Sequence, residues 1–295
     1  MSAANTAVKF FRKLEPEDLR TLHVIEANMS RYRYVPEKTM PKLAELPEQE
    51  TQYRLARLGR FKLVYRWTGS YKGYTLNTAG YDCLAINALV KAGILEAFGK
   101  PLGVGKEADV YDALTPENKR IAVKFHRLGR TSFRQTRRVR GYIAERRHVS
   151  WLYQSRLAAE KEFQALKLLY PHSIALPEPV SQNRHVVAMG MIEGAELAEH
   201  KELPNPSKTL EEVLSNIRKA YVNARVIHAD LSEYNIIIMP NWHILIIDWP
   251  QFVTREHPNA EQLLRRDMKN IVGFFQRKYK VKTKLEDALN YVQTN

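Results

Sequence analysis

The segment "VIHADLSEYNIIIMPNWHILIIDWPQ", residues 226–251, constrains the fold more than any other stretch of the chain. A polar loop with His228, Asp230 and Asn235 runs directly into two apolar stretches, 236–239 and 243–247. Pro240-Asn241 between them is turn chemistry, so the two stretches are expected to pair as a hairpin. The second stretch ends at Asp248. One strand out and one strand back therefore return that carboxylate beside Asp230 and Asn235. Two carboxylates and an amide oxygen gathered in this way are hard oxygen ligands, suited to magnesium.

Upstream stand parts that fit such a centre. "LGVGKEADVYDAL" reads as strand, turn, strand, and Gly103 and Gly105 would let the backbone approach a phosphate closely. It is not a Walker loop, because Glu107 follows Lys106 where Ser or Thr is required and the glycine spacing differs. "RIAVKFHRLG" is an apolar strand with Lys124 inside it; that side chain either points off the core face or reaches the phosphates from within a cleft. "SRLAAEKEFQALKLLYP" is an amphipathic helix with Leu157, Phe163, Leu166 and Leu169 along one face. Glu160 and Glu162 are candidates to pair with Lys124. Glu162 is preferred because it lies four residues before Leu166 and can share its face. A strand in "HVVAMGMIEGAEL" leads into a glycine-containing connector, and "LEEVLSNIRKAYVNARVIHADL" is a helix running up to the polar loop. A glycine turn, a strand lysine and a set of oxygen ligands are the parts for phosphoryl transfer, in which a protein mainly positions and neutralises.

The first ninety or so residues read differently. "EPEDLRTLHVIEANM" is a helix with acids in its first turn, as the helix dipole favours. "VPEKTMPKLAEL" reads as a short helix broken by Pro41, and "PEQETQYRLARLG" as a helix ending at Gly59. "RFKLVYRWTGSYKGYTLNTAG" carries a hairpin signal, and "TAGYDCLAINALVKAG" is a helix ending at Gly93. Three helices, a hairpin and a closing helix resemble a winged helix. Its third helix would be the reader, with Arg54 and Arg57 on it and Arg60, Lys62 and Arg66 following. Interleaving with Tyr53, Tyr65, Trp67 and Tyr71 suits phosphate contact plus base stacking. The alternative is a winged helix that packs on its neighbour or binds protein. A composition shift over residues 93–100 marks the join. The expected class is α+β, with a nucleic-acid-binding winged helix at 1–92 and a bilobal domain at 93–295, its lobes meeting near residue 190.

Charge is unevenly placed. Of the net +14, residues 1–100 contribute +6 and residues 127–148 contribute +7 through eight arginines and one acid, while residues 149–295 contribute +1. Charge gathered in two places points to a polyanion partner. The arginine segment "HRLGRTSFRQTRRVRGYIAERRH" fits no packed element and is expected to form a loop beside the cleft, with Arg137, Arg138 and Arg140 reaching RNA. Ser132 in that loop is a candidate autophosphorylation site. The single cysteine, Cys83, allows no internal disulfide. No signal-peptide core and no apolar run near the roughly 18 residues of a membrane span are seen, so a soluble, cytoplasmic protein with no membrane partner is expected.

His228-x-Asp230 with Asn235 resembles the H-R-D-x-x-x-x-N loop of the protein kinase superfamily. The departures narrow the resemblance. Ser232 stands where typical kinases carry a lysine, "IDWPQ" replaces D-F-G, and "NAEQLLRRDMKNIVGFFQRKY" begins too soon to leave room for a long activation segment. "GVGKEADVY", "IHADLSEYN" and "IDWPQ", preceded by a winged helix, are similar to the RIO family of atypical kinases and ATPases, in its winged-helix-bearing branch. The compact length resembles archaeal members. The resemblance implies ATP with Mg2+ or Mn2+ as cofactors and small ribosomal subunit precursors with their rRNA as partners. It implies Asp230 as the catalytic aspartate, Asn235 and Asp248 as metal ligands, and Lys124 as the phosphate-binding lysine. Gly103, Val104, Gly105, Lys106, Glu107 and Ala108, with Val110 beyond them, would form the phosphate loop. Met189, Met191, Ile192 and Glu193 would belong to the hinge against adenine. Without an activation segment or the catalytic-loop lysine, slow, switch-like nucleotide turnover is expected over fast peptide phosphorylation. Two other readings remain beside this one: a winged-helix DNA regulator whose kinase-like half senses nucleotide, and a small-molecule phosphotransferase.

Overall fold

A computed structural model describes residues 3–105, 107–128 and 151–294. The chain divides into two compact units. The first comprises Met1–Lys119, Val123–Arg156 and Asn183–Val186; the second comprises Arg120–Ala122, Leu157–Gln182 and Val187–Asn295.

The first unit opens with α1 (Ala3–Phe11), a helix the sequence reading did not anticipate, and α2 (Pro16–Asn28). Glu15 and Asp18 form a reciprocal capping box at the start of α2, and Pro16 occupies its first turn, where a missing N–H is harmless. The chain continues through β1 (Val35–Pro36), a single 3-10 turn and α3 (Met40–Ala44). Pro41 does not break a helix as expected. It lies in the first turn of α3, for the same reason that Pro16 suits α2. Then follow α4 (Glu48–Arg60), β2 (Val64–Thr68), β3 (Lys72–Leu76) and α5 (Thr78–Lys91). The expected hairpin is present, in register Val64↔Leu76, and β1 completes a three-stranded sheet of order β1-β3-β2. Asn77 caps α5 by accepting the Gly80 N–H at 3.0 Å. Leu22, Ile25, Leu55, Leu58, Leu84 and Ile86 are buried and form the winged-helix core.

The same unit contains β4 (Ala97–Val104), β5 (Ala108–Leu114) and most of β6 (Arg120–His126). β4 and β5 are antiparallel around the glycine turn, with Gly103 opposite Val110. The His126 N–H donates to His185 O at 2.9 Å, which places the start of β8 (Val186–Gly190) beside β6. Within the second unit Gly190 N–H donates to Glu178 O at 2.8 Å, next to β7 (Pro179–Asn183). The sheet order is thus β4-β5-β6-β8-β7.

Arg127 corrects part of the arginine-loop expectation. It is buried, not solvated: its Nη1 and Nη2 donate to the two oxygens of Asp82 on α5 at 2.7 and 2.9 Å, and its Nε donates to Asp109 on β5 at 2.9 Å. Burial alone would depress the guanidinium, yet the two carboxylates hold it above the ordinary arginine value. Burial likewise opposes the Asp82 charge, and Arg127 and His185 overcome it, holding the carboxyl below its usual range. Deleting one partner from a buried ionic group of this kind costs roughly 3–5 kcal/mol, because the other charge is left uncompensated.

The second unit holds most of α6 (Trp151–Leu169), β9 (Ala195–Glu196), α7 (Pro206–Val222), β10 (Val226–Ile227), β11 (Ile236–Ile238), β12 (Ile244–Ile246), β13 (Val253–Thr254), α8 (Ala260–Tyr279) and α9 (Leu285–Gln293). The hairpin expected from Pro240-Asn241 forms, with Ile236 opposite Ile246, and β9 pairs on its outer edge. That edge pairing requires Gly194: its φ is +131°, and an added Cβ would meet Ile238 O at 2.1 Å. The isoleucines of β11 and β12 are buried, which anchors the loop before them.

Candidate active site

The polar loop leaves β10 at His228. The buried His228 ring donates through Nε2 to Ile247 O at 3.0 Å and lies 4.5 Å from the Trp249 ring. Trp249 Nε1 in turn donates to Ile246 O at 3.1 Å. The residues on both sides of Asp248 are therefore fixed. Ile247 N–H donates to Asn235 O at 2.9 Å, and Asn235 Nδ2 donates to Asp230 O at 2.8 Å. These bonds bring together the three residues on which the sequence reading rests. Asp230 is exposed, while Asn235 and Asp248 are half-buried.

Two backbone positions here are unusual. Ala229 has φ 62° and Asp248 has φ 67°. A left-handed residue with a Cβ costs about 1–2 kcal/mol and persists where its surroundings over-determine it. For Ala229 those surroundings come from α8. Asp267 accepts the Ala229 N–H at 2.7 Å and the Leu231 N–H at 3.1 Å, Arg266 donates to Ala229 O, and Asn270 donates to Leu231 O at 3.1 Å. Asp230 is bracketed on both sides. Burial pushes the Asp267 carboxyl up to about 7, against the opposing pull of the two N–H donors and Arg266, and the charge on Asp230 adds to the rise.

Asp267, Arg266 and Asn270 were missed by the sequence reading, which saw in α8 only a helix. A signal was available: Leu264, Asp267, Met268 and Ile271 fall at helical core spacing, so Asp267 occupies a buried stripe where a carboxylate needs partners.

The donor set fits magnesium. Among the described residues no group of three or more His, Cys, Asp or Glu could enclose a metal. One amide oxygen at Asn235 and one carboxylate at Asp248 suit an ion that keeps waters and takes its remaining ligands from phosphates. Bound there, magnesium would neutralise phosphate charge.

The glycine turn and the strand lysine expected from the sequence both lie in the first unit. The Gly105 N–H closes the turn onto Ala108 O at 2.8 Å, and among the described residues a Cβ on Gly103 would meet nothing within 4 Å. Val104 is exposed and Val110 half-buried; Lys106 lies outside the described residues. Lys124 is 8% exposed within a strand buried from Ile121 to His126, so it is not a surface lysine. In the second unit Glu162 is 2% exposed and shares its stripe of α6 with Ala159, Ala165, Leu166 and Leu169, whereas Glu160 and Phe163 are half-buried. Met189 is buried at the end of β8, Met191 and Ile192 are half-buried, and Glu193 accepts from Arg120 at 2.7 Å.

The winged-helix reading of Arg54 and Arg57 needs correction. Arg54 is 7% exposed, donates to Glu15 and Glu50 at 2.7 Å each, and lies 3.5 Å from the buried Asp18. Arg57 donates to Glu15 and to Lys13 O. Both guanidinium groups are spent on tying α4 to the start of α2, so neither is presented to a phosphate. Arg60 and Lys62 are exposed, as is Tyr65, and Trp67 stacks on Tyr34 with Tyr71 at its edge. Arg137, Arg138, Arg140 and Ser132 lie outside the described residues.

Comparison with known proteins agrees with this geometry. The RIO domain family model matches residues 109–288, and the Rio2 N-terminal model matches residues 11–92. The RIO-type serine/threonine-protein kinase Rio2 of Methanocaldococcus jannaschii is 43% identical over 86% of this chain and 93% of its own length. The serine/threonine-protein kinase rio2 of Schizosaccharomyces pombe is 36% identical over 94% of this chain and 81% of its own. The Dictyostelium discoideum rio2 matches at 37% over 92% of this chain, which spans 52% of that longer protein. A crystal structure of the Rio2 kinase–ADP/Mg2+–phosphoaspartate complex from Chaetomium thermophilum superimposes with a TM-score of 0.83 and 30% identity, covering 98% of this chain and 89% of the other. The chain belongs to the RIO family of atypical serine/threonine kinases, in the branch that carries an N-terminal winged helix.

Proposed function

We propose that the chain is an ATP- and magnesium-dependent atypical serine kinase and ATPase that binds precursors of the small ribosomal subunit in the cytoplasm and acts in their maturation. The observation that supports the chemistry is the gathering of Asp230, Asn235 and Asp248 by the Asn235–Asp230 and Ile247–Asn235 hydrogen bonds. Asp230 would steer an attacking hydroxyl, Asn235 and Asp248 would hold the metal, and Lys124 would meet the phosphates. Met189 to Glu193 would face the adenine.

The balance of activities favours ATP hydrolysis. Ser232 leaves the loop without the lysine of typical kinases, and eleven residues lie between Asp248 and the start of α8 at Ala260, too few for a peptide platform. A carboxylate route fits this economy. An Asp248 oxygen attacks the γ-phosphorus, ADP leaves, and water then cleaves the acyl phosphate to return the carboxylate and inorganic phosphate. The Chaetomium protein was crystallised as a phosphoaspartate complex, which lends this route chemical precedent.

The ribosomal partner is supported by the charge distribution. With Arg54 and Arg57 neutralised internally, RNA contact falls to Arg60, Lys62 and the arginine segment with Arg137, Arg138 and Arg140. Ser132 in that segment is the proposed autophosphorylation site. The deciding measurement pairs phosphate release with phosphorylation of protein substrates, with and without purified small-subunit precursors. Release accelerated by the particle is the expected result. Efficient phosphorylation of a defined protein with negligible release throughout would restore an ordinary kinase. Sedimentation with DNA in preference to particles would favour a winged-helix regulator.

A further inference from the structure

The buried ionic group in the first unit takes no part in the chemistry above, yet it ends at the phosphate turn. Arg127 is held at both of its ends. Its guanidinium is forked onto Asp82 of the winged helix and reaches Asp109, and its backbone N–H donates to Glu107 O at 2.6 Å. Glu107 sits in the turn between β4 and β5, two residues before Asp109. The turn closes through the Gly105 N–H to Ala108 O bond, and among the described residues nothing lies within 4 Å of a Cβ at Gly103. Arg127 thus braces this turn against α5. It also follows Lys124 by three residues, just past the end of β6, so both phosphate-facing parts are referred to one anchor.

The composition of the group argues that it serves position and not stability alone. Two carboxylates and one guanidinium are buried together, with His185 Nε2 2.7 Å from Asp82. An apolar cluster of the same volume is often equally stable or more so, and buried ionic groups are retained in some proteins because they fix one geometry.

We propose that Asp82 is a positioning residue for the phosphate loop, acting through Arg127 so that the winged helix sets the place of the Glu107 carbonyl and with it the fit of the ATP phosphates. This rests on the reading of residues 103–108 as a phosphate loop. Adenosine lacks the phosphates and should not sense the brace.

The test is calorimetric titration of the full-length chain with Mg-ATP and, separately, adenosine. In Asp82→Asn, ATP affinity should fall about tenfold, as for loss of a charge-assisted hydrogen bond, while adenosine affinity changes less than about twofold. Amide exchange at Gly105 and Arg127 should accelerate. Arg127→Lys keeps the charge but loses the fork, and should show the same split if Asp82→Asn does not fold. Ile25→Ala, a cavity in the winged-helix core on α2, should lower Tm and leave the ATP-to-adenosine ratio unchanged. Equal loss of both ligands in the Asp82 and Arg127 variants, or no loss of either, would overturn the proposal. Wild-type protein that binds ATP no better than adenosine would instead refute the phosphate loop itself.

Discussion

Asp267 accepts the backbone N–H of Leu231 at 3.1 Å across 36 residues of sequence, and its other oxygen accepts that of Ala229. One side chain on α8 thereby holds both neighbours of Asp230. Asparagine at this position would offer one acceptor and turn an NH2 toward the second N–H. Asp267→Asn should therefore lower stability by about 1–3 kcal/mol, the cost of a buried unsatisfied donor. It should also reduce turnover with little change in ATP affinity. Denaturant unfolding together with kcat and KM checks this, and a kcat equal to wild type would show that Asp230 needs no such bracket.

The same carboxyl has a pH signature. Its folded value is raised to about 7 by burial, above the ordinary 3.8. A raised acid binds more protons folded than unfolded between those values, so its contribution is greatest at low pH and is lost as pH rises through 7. The stability of wild type relative to Asp267→Asn should shrink between about pH 4 and 7 and level off above that. A difference that grows over that range would mean that the N–H donors outweigh burial.

Asp248→Asn should abolish magnesium-dependent ATP turnover while leaving adenosine binding largely intact, because the base and the metal engage different residues. Turnover within a few-fold of wild type would remove Asp248 from both the metal site and the acyl-phosphate route.

RNA binding should separate the arginines into two groups. Neutralising Arg137, Arg138 and Arg140 should flatten the salt dependence, each lost phosphate contact removing roughly 0.7–0.9 from the slope of log affinity against log salt. Arg54→Gln should leave that slope unchanged and lower Tm, since it strips the cation from beside the buried Asp18. A slope that moves with Arg54 would return α4 to the role of reader.

Much of the active-site half is legible in the amino-acid sequence because its information is local. Pro240-Asn241 between two isoleucine-rich stretches specifies a hairpin, and a hairpin returns Asp248 to Asn235. Glycine spacing around 103 and 105 specifies a turn, and the apolar stretch around Lys124 specifies a buried strand. The winged-helix order is legible for the same reason, since its helices and wing carry their own periodicities and turn residues.

What only the tertiary structure decided is the partner of each buried charge. Arg54 and Arg57 sit on a basic helix and read as phosphate contacts until Glu15 and Asp18, some forty residues earlier, are folded against them. Arg127 reads as the first residue of a basic loop until Asp82 and Asp109 enclose it. Asp267 reads as one more polar residue on a helix until Ala229 and Leu231 arrive. The physical reason is common to all three. Periodicity and turn chemistry fix the backbone over a few residues, whereas the state of a charge depends on which carboxylates, guanidiniums and N–H groups close around it. That set is assembled only when distant segments pack and exclude water.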